Sequence, residues 1–370
     1  MPFASALSEH PVPAYATGEV CGQVLEAVGA HPDLAVVFTT LAHAGALEDI
    51  AGTVREVLGP SVLVGAASET VIGTGREVEG GPAVSLWAAR FGPVVGVRSL
   101  PVDVPFTPNA LVVIADPFSV DPSELLPTVA AHYPGLPVVG GMASGARAPG
   151  ATRLVLDGAV YTSGLVGALL GPGADVVTLV SQGCRPIGRP FVVTDGDGQI
   201  IRSLGGRTPL ERLDEVAGRL APEEIRAINN GGLHIGRVVD ERKADFGPGD
   251  FLVRQVIGGD RETGAIAVND LVEVGTTVQF HVRDAAAAHA ELDTMLSASD
   301  EVDAALLFSC NGRGERLFGA PDHDAGLVSD RLGRVPVAGF FAAGELGPVS
   351  GRNELHSYTA SLLLLREHHA

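Results

Sequence analysis

The stretch Ala304–Glu345, AALLFSCNGRGERLFGAPDHDAGLVSDRLGRVPVAGFFAAGE, sets the fold by its pattern. Two short apolar runs, Ala304–Phe308 and Val335–Phe341, each stop at a cluster of small and polar residues. The first stops at Ser309-Cys310-Asn311-Gly312-Arg313-Gly314, the second at Ala342-Ala343-Gly344-Glu345. Short apolar runs that end in glycine-rich turns read as buried strands whose ends can form a site. Between them Ala325–Leu332 reads as a helix, so the stretch is strand, helix, strand. A thiol, an amide, a guanidinium and a carboxylate fall in or beside the two turns.

Working outward, the same pattern recurs. Ser61–Glu69 reads SVLVGAASE, Leu136–Gly145 reads LPVVGGMASG and Val335–Glu345 reads VPVAGFFAAGE. Each is a β-branched run, a glycine, small residues and a polar group. Three such ends can line one crevice, because open α/β sheets place ligands beyond the carboxyl ends of their strands. Helical spacing marks Glu19–Gly29, Leu47–Leu58, Ser123–His132, Leu210–Leu220 and Ala285–Leu296. Asp157-Gly158 marks a hairpin, and Thr208-Pro209 is a helix start. The last segment, Glu354–Leu365, reads as a closing helix that carries His356. The expected fold class is α/β (mixed α+β), two domains with mixed sheets flanked by helices.

Lys and Arg total 25 against 44 Asp and Glu, a net charge of −19. Phosphate backbones and anionic lipid repel such a chain, so neither nucleic acid nor membrane is expected as a partner. Cys21, Cys184 and Cys310 lie far apart, with no CxxC, which fits a reducing compartment and no zinc site. The N-terminus has no basic and apolar leader pattern, so a cytoplasmic location is expected.

Gly73-Thr74-Gly75 is followed by Arg76, Glu77, Val78 and Glu79 and does not extend to GxGxxG, and no GxxxxGK[ST], HExxH or GxSxG occurs. Cys310 is open to two readings: a nucleophile at a strand end, or a small residue packed under a turn. Glu345 is costly to bury without a cation; Arg313, Arg352 or a ligand ammonium would serve. The expected ligand-binding set is Ser309, Cys310, Asn311, Gly312, Arg313, Gly314, Gly344, Glu345, Asn353 and His356. Ser68, Met142 and Ser144 join it from the N-terminal half. Arg313 and Glu345 are its charge partners, no catalytic residue is assigned, and no metal site is expected.

The order VLVGAASETVIG, LPVVGGMASG, RPIGRPFVVTDGDGQIIRSLGGRTPLERL, SCNGRGERLFG, VPVAGFFAAGELGPV and NELHSYTASLLL resembles the FIST family. The resemblance runs from about Asp33 to the last segment and implies a FIST N-type domain over 1–205 and a FIST C-type domain over 206–370. Other members often carry a bulkier residue before Gly-Glu, where this chain has Ala342-Ala343. The family implies an intracellular sensory module that binds a small polar ligand such as an amino acid. The FIST-like segments fill the chain, so a signalling protein partner is expected to read the output. No cofactor is expected. The alternatives are a haem-based gas sensor, with His356 or another histidine on iron, and a cysteine-dependent enzyme using Cys310.

Overall fold

The computed structural model describes residues 2–243, 245–247, 249–299 and 301–367. The chain forms two compact units, Met1–Val180 with Asp293–Ala370, and Ser181–Leu292.

The larger unit holds three six-stranded sheets built on one plan. Sheet I runs Phe3–Ser8, Val84–Ala89, Leu34–Thr40, Val62–Ser68, Leu154–Leu156, Ala159–Tyr161. Sheet II runs Val94–Val97, Leu165–Leu170, Ala110–Ala115, Val138–Met142, Glu345–Val349, Arg352–His356. Sheet III runs Ala174–Ser181, Ala360–Glu367, Ala304–Cys310, Val337–Ala342, Thr70–Gly73, Arg76–Glu79. In each, the two middle strands are parallel and enclose a helix in sequence: Leu47–Leu58, Pro122–His132 or His323–Leu332. That is the strand–helix–strand unit expected from Ala304–Glu345.

The three repeated glycines explain the sequence pattern. A β-carbon on Gly65 would lie 2.0 Å from the Val37 carbonyl oxygen, on Gly140 1.9 Å from that of Val113, and on Gly339 1.7 Å from that of Leu307. The partner backbone comes too close for any side chain, so glycine is required at the same point of each second strand.

Each second strand then sends a hairpin to a different sheet. The chain leaves Val62–Ser68 for a hairpin on sheet III, Val138–Met142 for one on sheet I, and Val337–Ala342 for one on sheet II. This cyclic exchange ties the sheets together. They share one core in which Phe38 and Trp87 of sheet I, Ile114 and Val139 of sheet II, and Phe308 and Phe340 of sheet III are fully buried. The ring centroids of Phe38 and Phe340 are 5.0 Å apart, and those of Phe308 and Phe340 are 5.5 Å apart, in tilted and edge-on geometry that favours aromatic pairs. The outer face of sheet I packs on helices Pro13–Val28 and Leu47–Leu58, and that of sheet II on Pro122–His132.

The smaller unit contains a closed six-stranded barrel made of Cys184–Asp197, Ile200–Leu204, Ile266–Val268, Phe251–Gly259, Leu233–Val238 and Thr277–Arg283. Its helix Pro209–Ala217 opens with a reciprocal cap: the Thr208 hydroxyl accepts from Glu211 N–H, and the Glu211 carboxylate accepts from Thr208 N–H.

The expected closing helix is overturned. Arg352–His356 and Ala360–Glu367 are strands, separated by Tyr358 at φ 67°. Ala360–Leu365 is buried on both faces: Leu363 and Leu365 enter the shared core, and Leu362 and Leu364, on the alternate face, are also fully buried. A strand covered on both sides is a continuous apolar run, and periodicity cannot tell it from a buried helix. The Asp157-Gly158 hairpin forms as expected, with φ 50° and 87°. Among the described residues no helix is long and apolar enough to cross a membrane.

Candidate functional site

The shared plan allows the three sheets to be compared position by position. At the end of each first strand an N–H donates to the returning antiparallel segment: Thr40 to Ala83 O, Asp116 to Gly164 O, Cys310 to Thr359 O. Thr40, Asp116 and Cys310 are therefore equivalent. On the exchanged hairpins, Leu154 stands opposite Ala66, Val71 opposite Phe340, and Glu345 opposite Gly141. Each faces the residue after the repeated glycine. One interior position thus holds leucine, valine and a carboxylic acid.

Glu345 is fully buried. Its Oε2 accepts from the Thr359 N–H at 3.1 Å and the Thr359 hydroxyl at 2.8 Å. Burial pushes the carboxyl up to about 8, against the opposing effects of Thr359, the hydrogen-bonded Cys310 thiol and the Arg313 charge. Cys310 is only slightly exposed, and Asn311 and Gly312, both half-buried, carry the cluster toward the surface.

Arg313 is also fully buried, and its guanidinium engages Asp324 rather than open space. Nε lies 2.7 Å from Oδ2 and Nη2 2.9 Å from Oδ1, a two-pronged pair. Asp324 also accepts from the Ser309 hydroxyl at 2.6 Å and lies 2.9 Å from His323 Nδ1. Burial works against its charge, but Arg313 and these hydrogen bonds hold the carboxyl well below the usual range.

Asp324 N–H and Ala325 N–H, at the start of helix His323–Leu332, donate to Glu77 Oε1, each at 2.9 Å. Glu77 is buried, and burial together with the Asp324 charge pushes it up to about 8. On the same exchanged hairpin, Glu79 accepts from Glu315 N–H at 2.8 Å. Gly314 has φ +60°, and a β-carbon there would meet Glu79 Oε1 and the Phe341 ring at 2.6 Å. The hairpin Thr70–Glu79 thus clamps both the Arg313–Glu315 turn and the helix behind it.

The three strand ends converge. The Ser144 hydroxyl accepts from Glu69 N–H and donates to Phe341 O, joining all three. Met142 and Gly344 are joined by the Met142 N–H to Gly344 O bond at 2.8 Å, and the Ser68 hydroxyl donates to Thr70 O. Beside these ends a cleft of about 390 Å³ is lined by Thr40–Ala42, Glu69, Thr70, Glu79 and Arg147, among others. Thr40 is the sheet I counterpart of Cys310, and Glu79 links the cleft to the Arg313–Glu315 turn.

Asn353 and His356 of the expected set bond to main-chain groups, and of the two only Asn353 lies away from Glu345. The Asn353 amide donates to Leu136 O and accepts from Val138 N–H, pinning the opposite end of a sheet II strand. His356 lies on a strand, not a helix, directly opposite Glu345 in the sheet II hairpin, with Nε2 2.9 Å from Gly347 O in the interior. Sequence reading missed Asp324, Glu77, Glu79 and Thr359 as members of the site. Asp324 falls in the first turn of a helix, where an acid usually answers the helix dipole; only the folded chain turns it onto Arg313.

The chain matches the FIST N domain over residues 33–207 and the FIST C domain over residues 209–348. It is 44% identical over 356 residues to "Uncharacterized protein Rv0628c" of Mycobacterium tuberculosis, covering 92% of each chain. It is 41% identical over 367 residues to "Uncharacterized protein Mb0898c" of Mycobacterium bovis, covering 94% of each. FIST domains are sensory domains, and with both matched in order and the relatives aligned over nearly their whole length, the chain belongs to the FIST family.

Proposed function

We propose that this chain is a cytoplasmic sensory protein that binds a small polar ligand bearing an ammonium group, such as an amino acid. The ligand sits at the strand ends of sheet III with Glu345 as its counter-charge, and a signalling protein reads the result. The observation that carries this reading is the identity of one position in three equivalent settings: Leu154, Val71 and Glu345. Two sheets fill it with the apolar residue that packing favours. The third spends stability on a buried carboxyl, and destabilising polar groups are retained where they serve a site.

Arg313 is a positioning residue in this scheme. Its charge is answered by Asp324, so it fixes the Cys310–Gly314 turn rather than meeting the ligand. Asn311, half-buried at the same turn, supplies an amide for the ligand's other end in this reading. A ligand ammonium replaces the proton on Glu345, so binding near neutral pH releases a proton.

Calorimetric titration with an amino-acid panel, in two buffers of different ionisation heat, tests this. Binding at pH 7 releases close to one proton per ligand, and the release fades above pH 9. Glu345→Leu keeps the fold and loses binding. A ligand that binds Glu345→Leu as well as it binds the parent, or binds with no proton release, overturns the assignment.

A further inference from the structure

The smaller unit contains a cavity of about 450 Å³ between the Cys184–Asp197 strand and the end of helix Pro209–Ala217. Ile187, Val216 and Leu220 supply an apolar lining, and Arg185, Arg189 and Arg219 stand around it. The chain has only 25 basic residues against 44 acidic ones, so three arginines at one cavity run against its overall balance.

The acids that also line the cavity answer Arg185 and leave the other two charges. Glu224 is paired with Arg185 and takes the Ala221 N–H. Glu215 is paired with Arg207 and Arg212 from outside the cavity. Arg189 and Arg219 have no carboxylate partner among the described residues. The Arg189 guanidinium lies 4.9 Å over the Phe191 ring and that of Arg212 5.0 Å from it. Stacking restrains Arg189 in advance, which lowers the ordering cost of binding.

We infer that this cavity binds a small organic anion. Its carboxylate or phosphate head meets the Arg189 and Arg219 guanidinium groups, whose planar forks match such oxygens. Its compact apolar part packs on Ile187, Val216 and Leu220. The net charge of the whole chain does not prevent this, since charges beyond about 10 Å are largely screened at ordinary salt, while these arginines would touch the ligand.

The site is independent of the Glu345 reading, because its ligand has the opposite charge and its residues lie in the other unit. The test is calorimetric titration of the full chain with benzoate and phenyl phosphate, against neutral benzamide and cationic benzylamine. One or both anions bind at least tenfold more tightly than benzamide, and the stronger identifies the head group. The exposed pair Arg189→Gln and Arg219→Gln, made together, removes that tenfold preference with an unchanged circular dichroism spectrum, while Glu345→Leu leaves it intact. Arg219→Glu shifts the preference toward benzylamine. Equal binding of anion and benzamide, undiminished anion binding by the double variant, or no binding of either anion overturns the inference.

Discussion

Glu345→Gln gives the sharpest test of the buried carboxyl. In the folded chain burial raises this group from 4.5 to about 8, so between those values the folded state holds a proton that the unfolded state has released. Stability therefore falls as pH rises through that window. Each tenfold difference in proton affinity between the two states is worth about 1.4 kcal/mol, so the parent loses roughly 4 kcal/mol from this group between pH 5 and pH 8.5. Glutamine keeps an oxygen for the Thr359 donors and does not titrate. Glu77, raised in the same way, is present in both proteins and cancels in the difference. The two proteins should be close in stability near pH 5, with the variant gaining steadily on the parent above it. Urea unfolding followed by fluorescence reads this cleanly, because the chain has a single tryptophan, Trp87, fully buried in the larger unit. Infrared spectra add a direct reading, since the protonated carboxyl absorption near pH 6 should fall in the variant to the share that Glu77 contributes. Parallel stability curves from pH 5 to 8.5 would refute the reasoning.

Asp324→Asn leaves the buried Arg313 guanidinium without its counter-charge and should cost about 3–5 kcal/mol by Trp87-monitored unfolding; a loss below about 1 kcal/mol contradicts the buried pair. His234 and His281, in the barrel, are lowered to about 4 chiefly by burial, so the barrel should lose stability as pH falls from 6.5 toward 4. Hydrogen exchange in Leu233–Val238 and Thr277–Arg283 reads that loss, and constant protection across the window speaks against it. Thr208→Ala removes one half of the reciprocal cap and should weaken the start of helix Pro209–Ala217 by about 1 kcal/mol. Exchange at Glu211 N–H should then quicken about fivefold, and an unchanged rate would show that the cap is dispensable.

Much of the plan was legible in the chain. The β-branched run, glycine and small residues at Val62–Ser68, Val138–Met142 and Val337–Ala342 mark the three second strands, because each strand is covered on both faces and each glycine faces a neighbouring carbonyl. Capping at Thr208 and the turn at Asp157-Gly158 are equally local. Polar side chains at the ends of the sheet III pair could be listed from the sequence, since a strand end is where polar groups gather.

Their partners could not be listed, because they are set by long-range exchange. Glu77 and Glu79 leave sheet I on a hairpin and arrive at the helix and turn of sheet III, more than two hundred residues away in the chain. The same exchange places Glu345 where Val71 and Leu154 stand, and only that register shows it as a carboxyl in an apolar position. Arg313 read as a ligand-facing charge because sequence gives a guanidinium no direction; the fold turns it onto Asp324. His356 read as helical because Leu362–Leu365 is apolar at every position, which is as true of a strand buried on both faces as of a buried helix. The sequence by itself determined the units of the structure and the chemistry available to them. Tertiary structure decided which of those groups are answered by a partner charge and which are pushed toward their neutral form, because burial and partner charge depend on distance in space.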